Sequence, residues 1–110
     1  TQEQARDIAH LLVHRKLAAC VNIVPGIRSI FRWKGKIHDD TELLLLAKTT
    51  RDKFEAVKKA IQEIHSYELP EILSYDTLFG DERFNQWLID STTGEVAEDE
   101  EEYAKPIVSD

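Results

Sequence analysis

Residues 17–37 read LAACVNIVPGIRSIFRWKGKI, and how this stretch folds decides the rest of the chain. Two β-rich runs flank Pro25-Gly26. The first, AACVNIV, carries β-branched residues with no helical period and reads as a buried strand. Pro25-Gly26 kinks or turns the chain. In the second run Ile27, Ser29, Phe31 and Trp33 alternate with Arg28, Ile30, Arg32 and Lys34. A strand there has one aromatic face and one mostly basic face. KGKIHDD, with Gly35, is the best hairpin-turn signal in the chain. TELLLLAKT then closes a long hairpin, and its unbroken leucines predict a strand covered on both faces.

Helical spacing lies on either side of this hairpin. Residues 4–16 place Ala5, Ile8, Ala9, Leu12 and Val13 on one stripe, extended by Leu17, which predicts an amphipathic helix. A second helix is expected from about Arg51 to Ile64, with Phe54, Val57, Ala60, Ile61 and Ile64 inward. LPEILSYDTLF, residues 69–79, predicts a further strand opened by Pro70 and ended by Gly80. DERFNQWLI predicts a short helix with Phe84, Trp87 and Leu88 on one side. From Thr92 the periodicity is lost and the composition turns acidic, as in a solvated tail. The reading is one α+β domain over residues 1–92, helices against an antiparallel sheet, followed by an acidic tail over 93–110.

Composition narrows the functions open to it. A chain of 110 residues, 42% hydrophobic and 32% charged, is expected to fold as a single soluble domain. No apolar run approaches the roughly 18 residues of a membrane span, so no membrane insertion is expected. TQEQARD at the start lacks a secretory pattern, which predicts a cytoplasmic protein, or an organellar one if a presequence has been removed. The single cysteine cannot form an internal disulfide and favours a reducing compartment. Of the net charge of −7, residues 95–110 supply −6, from seven acidic residues against Lys105, leaving the first 94 residues at −1. A body so near neutrality lacks the basic field of a nucleic-acid binder.

Several side chains could carry chemistry. Cys20 lies in an apolar strand, where free cysteine is usually a small hydrophobe; its sharper reading is a soft metal ligand. His10 and His14 stand at i and i+4, a chelating spacing, but opposite the apolar stripe and without the glutamate of HExxH, and read as a solvated face. IHSYELPEI gathers His65, Tyr67, Glu68 and Glu71 where a helix hands over to a strand, a place where polar groups converge. The basic, aromatic strand Arg28 to Lys36 could stack bases. Without an RNA-recognition signature it fits packing against another subunit better. No nucleophile–base pair or carboxylate dyad stands at a catalytic spacing, so no enzyme is expected.

KLAACVNIVPGIRSIFRWKGKI, TELLLLAKT and IHSYELPEILSYD…G…FNQWL, in this order, resemble the CutA divalent-cation tolerance proteins from about residue 5 to residue 90. The resemblance implies a ferredoxin-like α+β sandwich with a long β-hairpin that reaches across to neighbours in a tight homotrimer, with Ile30, Phe31 and Trp33 at the interface. It implies a non-enzymatic role in divalent metal tolerance, with no obligatory cofactor and copper or another divalent cation as ligand. By position it nominates Cys20, His65 and Glu68 as metal ligands and Lys48 and Tyr67 as pocket residues. Two other roles follow from the same plan: a small-molecule sensor like the PII signalling trimers, and an adaptor, since animal members are associated with anchoring acetylcholinesterase. The chain departs from the family pattern at Ser66 and Asp76, where proline is usual, and at His38, commonly acidic. Family chains also open with an apolar strand of about eight residues that this sequence lacks.

Overall fold

In the computed structural model, residues 1–64 and 71–95 are described. The first element is α1 (Gln2–His14). The Thr1 hydroxyl caps it by accepting the Gln4 N–H at 3.1 Å, satisfying one of the donors that a helix start leaves open. Ala5, Ile8, Ala9 and Leu12 are buried beneath it. Val13, expected on the same stripe, is 39% exposed, because it lies beyond the strip that the sheet covers. The helix stops in a Schellman arrangement: Leu17 N–H donates to the Leu12 carbonyl at 2.9 Å and Lys16 N–H to Val13 at 3.1 Å. Lys16 takes the left-handed position at φ 58°, where glycine is usual.

The expected hairpin follows as β1 (Cys20–Trp33) and β2 (Lys36–Lys48), a two-stranded antiparallel sheet. Its turn is Lys34-Gly35, with φ 49° and 77°, the two positive values a tight two-residue loop requires. Pro25-Gly26 neither ends nor turns the strand. Val24 pairs with Leu44 and Ile27 with Glu42, so β1 holds one extra residue in a bulge. Pro25 has no N–H to donate to the ladder, and Gly26 supplies φ 75°.

A 3-10 turn (Arg51–Lys53) leads into α2 (Phe54–Ile64). Ile8, Leu12, Ala18, Val57 and Ala60 form the core, with Leu11, Leu17, Val21, Leu45 and Ile61 packed around it. Both helices therefore lie on one face of the sheet. On the other face Leu44 and Leu46 are 43% and 46% exposed. The leucine run, expected to be covered on both faces, is covered on one within this chain. Ile64, predicted inward, is 39% exposed at the end of α2.

The strand expected over 69–79 is not formed in its described part. Residues 71–79 join no ladder, and Leu73, Tyr75, Leu78 and Phe79 are exposed. A strand exists only by pairing, and no third strand lies beside the hairpin among the described residues. The chain ends its described part in α3 (Glu82–Ser91), capped by Asp81, whose carboxylate accepts the Arg83 and Phe84 N–H groups. Thr92, placed at the start of the solvated tail by sequence, is buried, its hydroxyl donating to the Leu88 carbonyl at 3.0 Å.

Candidate functional site

The base of the hairpin is the best-fastened polar region of the chain. Where α1 ends, Ala18 is fully buried against Leu12 and α2. Ala19 N–H donates to the Lys48 carbonyl at 2.8 Å, and the Thr49 hydroxyl to the Leu17 carbonyl at 2.7 Å. These bonds clamp the first residue of β1 against the last of β2. As a result Cys20 and Lys48, far apart in sequence, are direct cross-strand partners. Cys20 is a free, half-buried thiol, and its register partner is a cation rather than a second donor for a metal.

The outer hairpin carries its own polar network. Arg28 grips Asp39 through two hydrogen bonds of 2.8 Å. The guanidinium holds the Asp39 carboxyl below the ordinary carboxylate range. The Ser29 hydroxyl donates to Glu42 at 3.0 Å. Phe31 stacks on His38, its cross-strand partner, with centroids 5.2 Å apart and planes 11° from parallel. The Lys34 ammonium lies 5.6 Å from the centre of the Trp33 ring. Alternation from the turn inward places Phe31, Trp33 and His38 on the face that also bears Leu44, away from the helices. Asp76, one of the departures from the family pattern, ties the 71–79 segment to the body through Arg51 at 2.7 Å.

Of the residues nominated as ligands or pocket, the structure brings Cys20 and Lys48 together. His65, Tyr67 and Glu68 lie outside the described residues. The residue before them, Ile64, is found where its carbonyl accepts the Gln4 side-chain amide at 3.2 Å, beside the start of α1. Cys20 follows the other end of α1, and a helix of 13 residues is roughly 20 Å long. Of the nominated interface residues, Ile30 is 69% and Phe31 37% exposed, and Trp33 is half-buried. Among the described residues no three His, Cys, Asp or Glu side chains are disposed to hold a metal ion, and no helix is long and apolar enough to cross a membrane.

The Arg28–Asp39 and Phe31–His38 contacts escaped sequence reasoning, yet the turn could have shown them: counting outward from Lys34-Gly35 makes Phe31 face His38 and sets Arg28 diagonal to Asp39. The Arg51–Asp76 link had no sequence signal, because it joins two segments of irregular course.

Comparison with known proteins places these features. Residues 1–91 match the family model described as CutA1 divalent ion tolerance protein. The chain is 46% identical over 92 residues to the divalent-cation tolerance protein CutA of Thermus thermophilus, covering 84% of this chain and 89% of that one. The solved structure of the Thermus protein superposes with a TM-score of 0.82 at 45% identity, over 84% of this chain and 90% of the other. A CutA homolog of Xenopus laevis is 45% identical over 86 residues, 78% of this chain and 57% of that one. A chloroplastic CutA of Arabidopsis thaliana is 38% identical over 91 residues, 83% of this chain. The chain thus spans most of the bacterial relative but only 50% of the plant protein.

Proposed function

Because the chain belongs to the CutA1 divalent ion tolerance family, we propose that it acts in divalent-cation tolerance as a non-enzymatic homotrimer that binds the metal, copper foremost. One observation carries the trimer. The sheet face turned away from the helices bears Leu44, Leu46 and Phe31, each more than a third exposed, together with half-buried Val24, Ile27 and Trp33. This apolar surface continues out along a hairpin too long for so small a body to cover. Permanent interfaces have the composition of a core cut in half, and this face has that composition. Copies of the chain are its natural cover, with Phe31, Trp33 and Ile30 at the contact.

For the metal, the proposed ligands are His65 and Glu68, with Tyr67 and Lys48 lining the pocket. Neutral imidazole and carboxylate suit copper(II), whereas the Cys20 thiolate suits copper(I). The distance between Cys20 and the end of α2 supports two separate roles over one shared ion. Imidazole must shed its proton to ligate, so copper(II) uptake should weaken as pH falls through about 6.5, the ordinary histidine value. A cytoplasmic protein fits this role, and an organellar form fits if a presequence has been removed. Calorimetric titration of copper(II) into the full chain and into His65→Ala tests the reading. Loss of an equivalent in the variant supports it; unchanged stoichiometry and affinity would remove His65 from the site.

A further inference from the structure

We propose that His10 and His14 form a second, independent metal site: a two-imidazole chelate for copper(II), and less tightly for nickel(II) or zinc(II), on the outer face of α1. By sequence this pair reads as a solvated face. The structure adds three observations that make that face a prepared one.

First, the helix that carries the pair is fixed without any ion. Its start is capped by Thr1 and its end is closed by the turn at Lys16. Ala5, Ile8, Ala9 and Leu12 are buried beneath it. The rotation of α1 about its axis is therefore set by the core, and His10 and His14 are held outward, both exposed. The ordering entropy that a flexible peptide would lose on chelation is already spent in folding.

Second, the spacing suits one ion. Residues four apart on a helix lie on adjacent turns, about 6 Å apart along the axis, and face the same way. An ion that accepts nitrogen at about 2.0–2.1 Å fits between two such imidazoles. Among first-row divalent ions an imidazole pair holds copper(II) most tightly. The remaining positions belong to water, since no third ligand is disposed to join among the described residues.

Third, the surroundings favour a dication on balance. His10 shares a shallow depression with Glu3, Asp7 and Arg6. Asp7, one turn before His10, is placed to accept the ring N–H that points away from the metal, the usual partner that orients a ligating histidine. His14 lies in the last turn, where the carbonyl end of the helix dipole favours positive charge. Arg6 and the neighbouring Arg15 oppose it, which makes this an exchangeable surface site rather than a permanent centre.

The experiment is a copper(II) titration of the full chain, followed by calorimetry and by electron paramagnetic resonance. It compares the native protein with His10→Ala/His14→Ala, Asp7→Asn and His65→Ala. All four changed positions in the first two variants and the native chain keep the core intact, which circular dichroism verifies. The double variant should lose one equivalent per chain, along with a spectral component carrying two nitrogen donors. Asp7→Asn should weaken that same equivalent, by up to about tenfold. His65→Ala should leave it unchanged. If the double variant binds copper with native stoichiometry and affinity, the helix site does not exist, whatever His65→Ala does. If the double variant loses its equivalent and His65→Ala loses none, the helix site stands and the His65 site falls.

Discussion

Asp39 ties pH to stability at the level of a single residue. Arg28 holds its carboxyl below the ordinary value, so the folded state binds this proton less readily than the unfolded chain does. The contribution is therefore present above the ordinary aspartate value of about 3.9 and is lost as pH falls through the lowered folded value. Thermal midpoints measured from pH 5 downward should fall less steeply for Asp39→Asn than for the native protein; parallel curves would mean the pair does not persist in solution. Leu12, 1% exposed at the centre of the core, should cost about 2–5 kcal/mol when changed to alanine. Val13→Ala, one residue along but 39% exposed, should cost well under half of that by denaturant unfolding. Periodicity put both side chains on one stripe. It could not tell which of them the sheet would reach, because that depends on where the strands cross beneath the helix.

Elements were legible wherever a local rule defines them. The two long helices, the hairpin and the final short helix all follow from apolar spacing and turn chemistry. Two features were not legible. Residues 71–79 have strand composition but no ladder, since composition describes a segment and pairing describes two. The pairing of Cys20 with Lys48 depends on the bulge at Pro25-Gly26; without that extra residue every position nearer the hairpin base would be paired one residue off. Of the candidate site, then, residue types could be read from the sequence, but not which of them meet. The turn residues give a test at this scale. Lys34 and Lys16 occupy left-handed conformations, φ 49° and 58°, that cost a non-glycine residue about 1 kcal/mol. Lys34→Asn and Lys16→Gly should each stabilise the protein by about 0.5–1 kcal/mol. Destabilisation by Lys34→Asn would show that the ammonium over Trp33 outweighs the backbone.

For the molecule as a whole, one question stands behind the rest: what covers the bare sheet face. The helices satisfy one side of the hairpin and leave Leu44, Leu46 and Phe31 on the other, while Ile30 and Ile37, at 69% and 68% exposed, extend apolar surface toward the tip. A solitary chain of this size would carry that face into water, which is the pattern of an interface, not of a monomer surface. Replacing Trp33 with Asp puts a charge where the contact is proposed, at a cost of several kcal/mol if it is desolvated, and should shift the assembly toward single chains. The most direct measurement is the mass in solution by light scattering at micromolar concentration, native protein beside Trp33→Asp. The proposal expects three times the chain mass of 12.7 kDa for the native protein and a smaller mass for the variant. A native mass of one chain would contradict it.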